Sequence, residues 1–182
     1  MGMLNAHDIR WMEDTVREVI AEWNTEISIY SRLSIEEQPN YNHLMHEFTG
    51  DSFCTVLTIT AERKDLVNNM TNDPDPDNLD FGRKNNGTYL YAIPDIINVT
   101  KTIENEDGSV TEVTEEQKYQ PDLYDIVTIG DGEIYYIRSV RSRIGETLIT
   151  IKRFTGNKPK ISTVDDKVII RDYDWSVVDG GD

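Results

Sequence analysis

The stretch Asp125–Gly156, DIVTIGDGEIYYIRSVRSRIGETLITIKRFTG, predicts a small antiparallel meander. Apolar and polar residues alternate through much of it, which is the two-residue period of half-buried strands. Gly130 and Gly132 separate the first run from the second, and Gly145 separates the second from the third. Glycines at these points are typical of tight turns. We therefore expect three sequential strands that pair with their neighbours.

The same pattern continues on both sides of the meander. Four further runs are rich in β-branched residues and predict strands: EISIYSRL, SFCTVLTITAER, TYLYAIP and KVIIRDYDWSVV. Residues 99–118 predict a polar hairpin with Asp107 and Gly108 at its tip. The sequence thus predicts a mainly β fold with an N-terminal α-helix: a small β-barrel or sandwich with long loop and hairpin insertions. We expect one domain over 1–182, with its β core in 26–98 and 122–178.

The N-terminal helix is expected over residues 5–24. Asn5 is a suitable N-cap, and apolar residues recur at steps of three and four at Ile9, Met12, Val16, Val19, Ile20 and Trp23. Trp11 lies off this stripe, so it is a candidate for contact with another part of the protein or another chain. The apolar stripe has two interpretations. The helix can pack with it on its own domain, or it can pack with it on a neighbouring subunit.

The composition restricts the classes of partner. The chain has 182 residues and a formal net charge of -16, from 34 acidic and 18 basic residues. Such a charge argues against nucleic acid or an anionic membrane as the main partner. No apolar run approaches the roughly 18 residues of a membrane span. The start of the chain lacks the features of a signal peptide, and the single cysteine, Cys54, is expected to be a buried thiol.

The loop over residues 71–87 is strongly acidic. Asp73, Asp75 and Asp77 have the spacing with which a calcium-binding EF-hand loop begins, and Asp80 follows them. However, Asn78 stands where that loop needs glycine, and Lys84 stands where it needs a bidentate glutamate. We expect a solvated acidic loop, and a calcium-binding β module is the alternative.

No motif in the sequence indicates an enzyme. The segment His43–Glu47 contains two histidines three residues apart, but a zinc site needs three or four ligands. The glycine patterns of nucleotide-binding loops and of serine hydrolases do not occur. We therefore expect a protein without catalytic residues, metal or cofactor.

The charges are distributed unevenly along the chain. Residues 134–160 contain seven bases and one acid, a net charge of +6, which leaves -22 on the other 155 residues. This asymmetry suits contacts between unlike faces of neighbouring subunits. The alternatives are a solvated strand edge protected by its charges and, less favoured, contact with DNA. The candidate interface residues are Trp11, Arg138, Arg141, Arg143, Lys152 and Arg153.

The meander also resembles a known family. Its residues fit the form D-x-V-x-x-x-G-x-x-Y-x-I, with Asp125, Val127, Asp131 or Gly132 at the turn, Tyr135 or Tyr136, and Ile137. With the preceding helix, this pattern is similar to that of the head–tail connector and head-closure (neck) proteins of tailed bacteriophages. The resemblance implies a small β-barrel core.

The resemblance also implies an assembly role in the virion, reached after synthesis in the bacterial host cytoplasm. Such proteins form rings, commonly of about six or twelve copies, and contact portal or adaptor proteins and tail proteins. DNA passes through an acidic channel without specific binding, and no membrane is involved. The alternative virion roles are tail terminator, tail hub and baseplate component. Candidate channel or docking-loop residues are Asp73, Asp75, Asp77, Asp80, Glu106 and Asp107.

Overall fold

The computed structural model describes residues 6–22, 25–45, 47–48, 51–64, 87–104, 108–130, 132–173 and 175. Within these residues the chain forms one α-helix, α1 (Ala6–Glu22), one 3-10 turn (Ile35–Glu37) and twelve strands. The strands are β1 (Thr25–Arg32), β2 (Tyr41–Asn42), β3 (Glu47–Phe48), β4 (Ser52–Lys64), β5 (Thr88–Pro94), β6 (Ile96–Glu104), β7 (Val110–Lys118), β8 (Ile126–Ile129), β9 (Glu133–Arg143), β10 (Glu146–Arg153), β11 (Lys160–Val164) and β12 (Lys167–Arg171).

Eight of these strands form one antiparallel sheet in the order β1-β8-β9-β10-β5-β4-β12-β11. Strand β1 also pairs with β4, so the six strands from β1 to β4 in this order form a closed circuit. The long strand β4 permits this closure, because it pairs with β1 over Cys54–Ala61, with β5 over Glu62–Lys64 and with β12 over Ser52–Cys54. A closed circuit of antiparallel pairings is the connectivity of a small barrel.

The core lies inside this circuit. Alternate residues of each strand point inward, as the pleat of a strand requires. The main core cluster consists of Ile27, Ile29, Ala61, Tyr91, Ile93, Val127, Tyr135, Ile137, Ile149 and Ile151. The expectation of a mainly β fold with an N-terminal helix is confirmed, and the predicted meander corresponds to β8, β9 and β10. Strands β11, β2 and β3 were not predicted from the sequence.

Helix α1 packs on the outer face of β5 and β10. Ile20 is buried there against Leu90, Ala92 and Leu148, with Val16 beside it. The apolar stripe expected along the whole helix is therefore buried only toward its C-terminal end, and Ile9 and Val19 remain more than one-third exposed. The described part of the chain has no helix long and apolar enough to cross a membrane.

Candidate interaction surface

A β-bulge in β9 places Arg141 and Arg143 on the outside of the sheet. Thr150 pairs with Ser139, but the next residue, Ile151, pairs with Ile137, so Arg138 is the extra residue in β9. A one-residue shift reverses the face to which all following side chains point. Without it, Arg141 and Arg143 would share the inward face of Ile137.

The bulge places these arginines next to outward-facing residues of β10. Arg141 lies opposite Leu148, and Arg143 lies opposite Glu146. Both arginines are exposed, whereas Lys152 is half-buried. The end of the meander near the β9–β10 turn therefore presents two exposed guanidinium groups at the edge of the helix-covered face.

Some of the basic charge is already paired within the chain. Arg153 forms a salt bridge with Glu133 at the other end of the meander. Glu146 lies 3.7 Å from the ammonium group of Lys64, which in turn lies 2.6 Å from Glu62. Arg153, one of the expected interface residues, thus has a carboxylate partner in its own subunit.

Helix α1 leaves apolar residues exposed near its start. Trp11 is 64% exposed and Ile9 is 38% exposed. The expected position of Trp11, off the buried stripe, agrees with this exposure. A large aromatic side chain at the surface is a common anchor in protein interfaces, so this end of the helix is a second candidate contact region.

The hairpin of β6 and β7 is separate from the large sheet. Its nine residue pairs run from Ile96–Lys118 to Glu104–Val110, and in the described chain neither strand pairs with a third one. At its base, Tyr119 donates its backbone N–H to the carbonyl of Asp95 at 2.8 Å, and the Arg17 guanidinium contacts the Asp95 carboxylate at 3.0 Å. These contacts fix the base of the hairpin beside α1.

A cleft of about 550 Å³ lies between α1 and the hairpin. Its helix side contains Arg10, Glu13, Asp14 and Arg17 among other residues, and its hairpin side contains Ile96, Asn98 and Glu116. Because side chains alternate between the two faces of a strand, the residues between these hairpin residues point away from the helix. That outer face carries Ile97, Val99, Ile103 and Val113.

A buried polar cluster lies where β8 begins, and the sequence had not indicated it. The Asp125 side chain accepts hydrogen bonds from Ser31 Oγ at 2.6 Å and from the backbone N–H of Asp122 at 3.1 Å. Burial raises the pKa of Asp125 to about 6.

Burial and the nearby Asp125 carboxyl also raise the pKa of the Cys54 thiol to about 12. Cys54 is therefore an unreactive thiol at neutral pH, in agreement with the expectation that it is buried.

The acidic candidates lie outside the described residues. This applies to Asp73, Asp75, Asp77 and Asp80 of the 71–87 loop, and to Glu106 and Asp107 at the hairpin tip. Calcium binding by the loop therefore stays a prediction. Elsewhere, the residues described by the structure include no group of three or more His, Cys, Asp or Glu side chains placed to hold a metal ion.

Comparisons with protein-family models, with curated protein sequences and with solved structures found no match. The functional interpretation therefore depends on the residues and their arrangement.

Proposed function

We propose that this protein is a structural subunit of a tailed-bacteriophage virion, located at the head–tail interface as a neck or head-closure ring between portal and tail. Its function in this proposal is assembly rather than catalysis. The ring surrounds an acidic channel that DNA traverses without specific binding.

The observation that carries the proposal is the structure of the segment on which the family resemblance rests. Val127 in β8, and Tyr135 and Ile137 in β9, are buried in the main core, and Asp125 is buried just before β8. Gly132 lies in the intervening turn with φ 77, a conformation that favours glycine. The residues that resemble the family's strand–turn–strand thus each have a structural role in one hairpin.

The charge distribution supports the same role. A net charge of -16 disfavours tight binding to phosphates, which suits a channel through which DNA must slide. Arg141 and Arg143 are exposed on the outside of the sheet, so a neighbouring subunit can approach them with its carboxylates. A ring requires two unlike surfaces on each subunit, and the basic strands and the acidic remainder supply them.

Exposed residues of the β6–β7 hairpin and of α1 also support assembly. A two-stranded hairpin is marginally stable in water unless it packs on something else, yet the tip half of β6–β7 is largely exposed, with Ile103 47% exposed. Trp11 and Ile9 are exposed on α1. Such features are typical of surfaces that become covered on docking.

Immunogold electron microscopy of purified phage particles from the source of this sequence tests the proposal. We expect gold at the head–tail junction, together with peptides of this chain in the particle's protein inventory. Antibody adsorbed beforehand with the purified protein is the control. Gold at the tail tip would replace the neck role with that of a tail hub or baseplate component. Absence of the chain from the particle would refute the virion role altogether.

A further inference from the structure

Among the described residues, open strand edges occur at β11, the end of the large sheet, and in the two-stranded sheets β2–β3 and β6–β7. Strands β2 and β3 have only two residues each, and β7 carries four charged residues, so β6 and β11 are the least protected of these edges. Strand β11 is the last strand of the large sheet and pairs only with β12 among the described residues. Strand β6 pairs only with β7 in the part of the chain that the structure describes. The outward backbone N–H and C=O groups of an edge strand form a template for pairing with another chain.

Both edges have compositions that favour pairing. Strand β6 reads IINVTKTIE and β11 reads KISTV, so β-branched residues dominate both. Proteins commonly protect open edges with several charges, a proline or a bulge. Each of these strands carries only one or two charged residues and no proline, and no bulge occurs in either pairing.

The charges also indicate how the edges fit together. Along β6, Lys101 precedes Glu104, and along β11, Lys160 precedes Asp165 of the following turn. Antiparallel pairing with Glu104 opposite Lys160 puts Lys101 opposite Thr163, diagonal to Asp165. Lys101 also has an exposed carboxylate partner in its own hairpin, Glu115 at 2.7 Å. Parallel pairing would bring like charges together, which is unfavourable.

We propose that the β6 edge of one copy of this protein adds antiparallel to the β11 edge of a second copy, so that the hairpin of the first copy extends the large sheet of the second. Each copy supplies one edge of each kind, so the contact is head-to-tail, as a ring requires. The inference rests on the proposed assembly role and identifies the surfaces that carry it. Backbone hydrogen bonds would provide most of the affinity, and the charges would select the register and direction.

Lys160 already has a carboxylate partner in its own chain, but it can give up that partner for a carboxylate of a neighbouring copy. Its ammonium group lies 2.8 Å from Asp172, and both side chains are more than half exposed. An exposed ion pair contributes little net stability. A carboxylate of a neighbouring copy can therefore replace Asp172 with little loss to the fold.

The test uses the variants Glu104→Lys and Lys160→Glu in sedimentation velocity experiments over a range of concentrations. Each variant alone faces a like charge across the proposed contact, so we expect its apparent Kd for self-association to rise about tenfold. An equimolar mixture permits alternating assemblies, in which each junction joins a lysine to a glutamate. The mixture, and the double variant E104K/K160E, should return to within about twofold of the wild-type Kd.

The matched controls carry the same charge changes on the neighbouring strands. Glu112→Lys lies on β7 and Lys167→Glu on β12, and both should leave the wild-type Kd unchanged. Self-association of K160E at wild-type affinity would overturn the proposal, and it would do so without affecting the assembly role. Failure of the mixture to restore association would overturn it as well. A wild-type chain that remains monomeric at all concentrations would also overturn the proposed contact. The gold labelling would then test the virion role independently.

Discussion

A Cβ atom on Gly145 would lie 2.9 Å from the Cα of Glu13. The backbone of α1 therefore rests directly on the β9–β10 turn, where only a residue without a side chain fits. Gly145 also has φ 75, a conformation that other residues adopt at a cost. This contact and the burial of Ile20 hold the helix on the outer face of the sheet.

Substitution Gly145→Ala should lower the free energy of unfolding by about 2 kcal/mol or more, because it adds both backbone strain and a clash with the helix. Urea unfolding followed by circular dichroism measures the change. Gly156→Ala is the control, since a Cβ there meets nothing within 4 Å. Equal stabilities of the two variants would show that the helix does not rest on this turn.

Two adjacent residues of α1 provide a matched pair. Ile20 is 1% exposed and packs on Leu148, whereas Val19 is 41% exposed. We expect Ile20→Ala to reduce the unfolding free energy by about 2–4 kcal/mol, and Val19→Ala to change it by less than about 1 kcal/mol. Thermal or urea unfolding of both variants measures the difference. A large effect of Val19→Ala would mean that the helix uses a different face in solution.

Asp125 should make stability depend on pH. Its pKa in the fold, about 6, lies above the ordinary value of 3.8, so the folded state binds the proton more tightly than the unfolded state does. This contribution to stability is fully present below about pH 4 and is lost as pH rises through about 6. A shift of about two pKa units corresponds to roughly 3 kcal/mol.

The variant Asp125→Asn separates this contribution from that of the other carboxyls. Its amide oxygen can accept the same two hydrogen bonds, and its neutral side chain does not titrate. Urea unfolding between pH 4 and 8 should show a smaller loss of stability with rising pH for the variant than for the wild type. Glu112→Gln, an exposed carboxyl on β7, should behave like the wild type. Parallel pH profiles for wild type and Asp125→Asn would contradict the assigned burial effect.

Reversing the exposed charges of β9 should affect assembly more than folding. We expect Arg141→Glu combined with Arg143→Glu to keep the wild-type circular dichroism spectrum and to shift Tm by only a few degrees. Ring formation or docking, followed by sedimentation and electron microscopy, should weaken. The combination Lys118→Glu with Lys167→Glu makes the same change in net charge on other strands and serves as the control. Collapse of the fold with assembly unaffected would assign these arginines a purely structural role.

Alternation of side chains predicted the strands, but it did not predict where the alternation changes phase. From Ile137 onward, a two-residue period places Arg141 and Arg143 on the core side. The bulge at Arg138 reverses this assignment, and it is visible only in the pairing of β9 with β10. A bulge depends on the register of the partner strand, which a single strand's sequence does not contain.

The candidate surface could likewise be predicted only in part. The sequence identified the basic residues and the exposed Trp11, since both depend on local composition and helical period. It did not reveal the Arg153–Glu133 pair, the buried Asp125 or the open edge of β11. Each of these depends on residues that are distant in the chain and meet only after folding.

The sequence by itself determined the mainly β class, the N-terminal helix and the meander, because these follow from local periodicity and turn residues. Tertiary structure decided how the sheet closes through β4 and where α1 packs on the Gly145 turn. It also decided which strand edges remain open. These features result from long-range pairing and close packing. The residues involved carry no local signal of the partner they will contact.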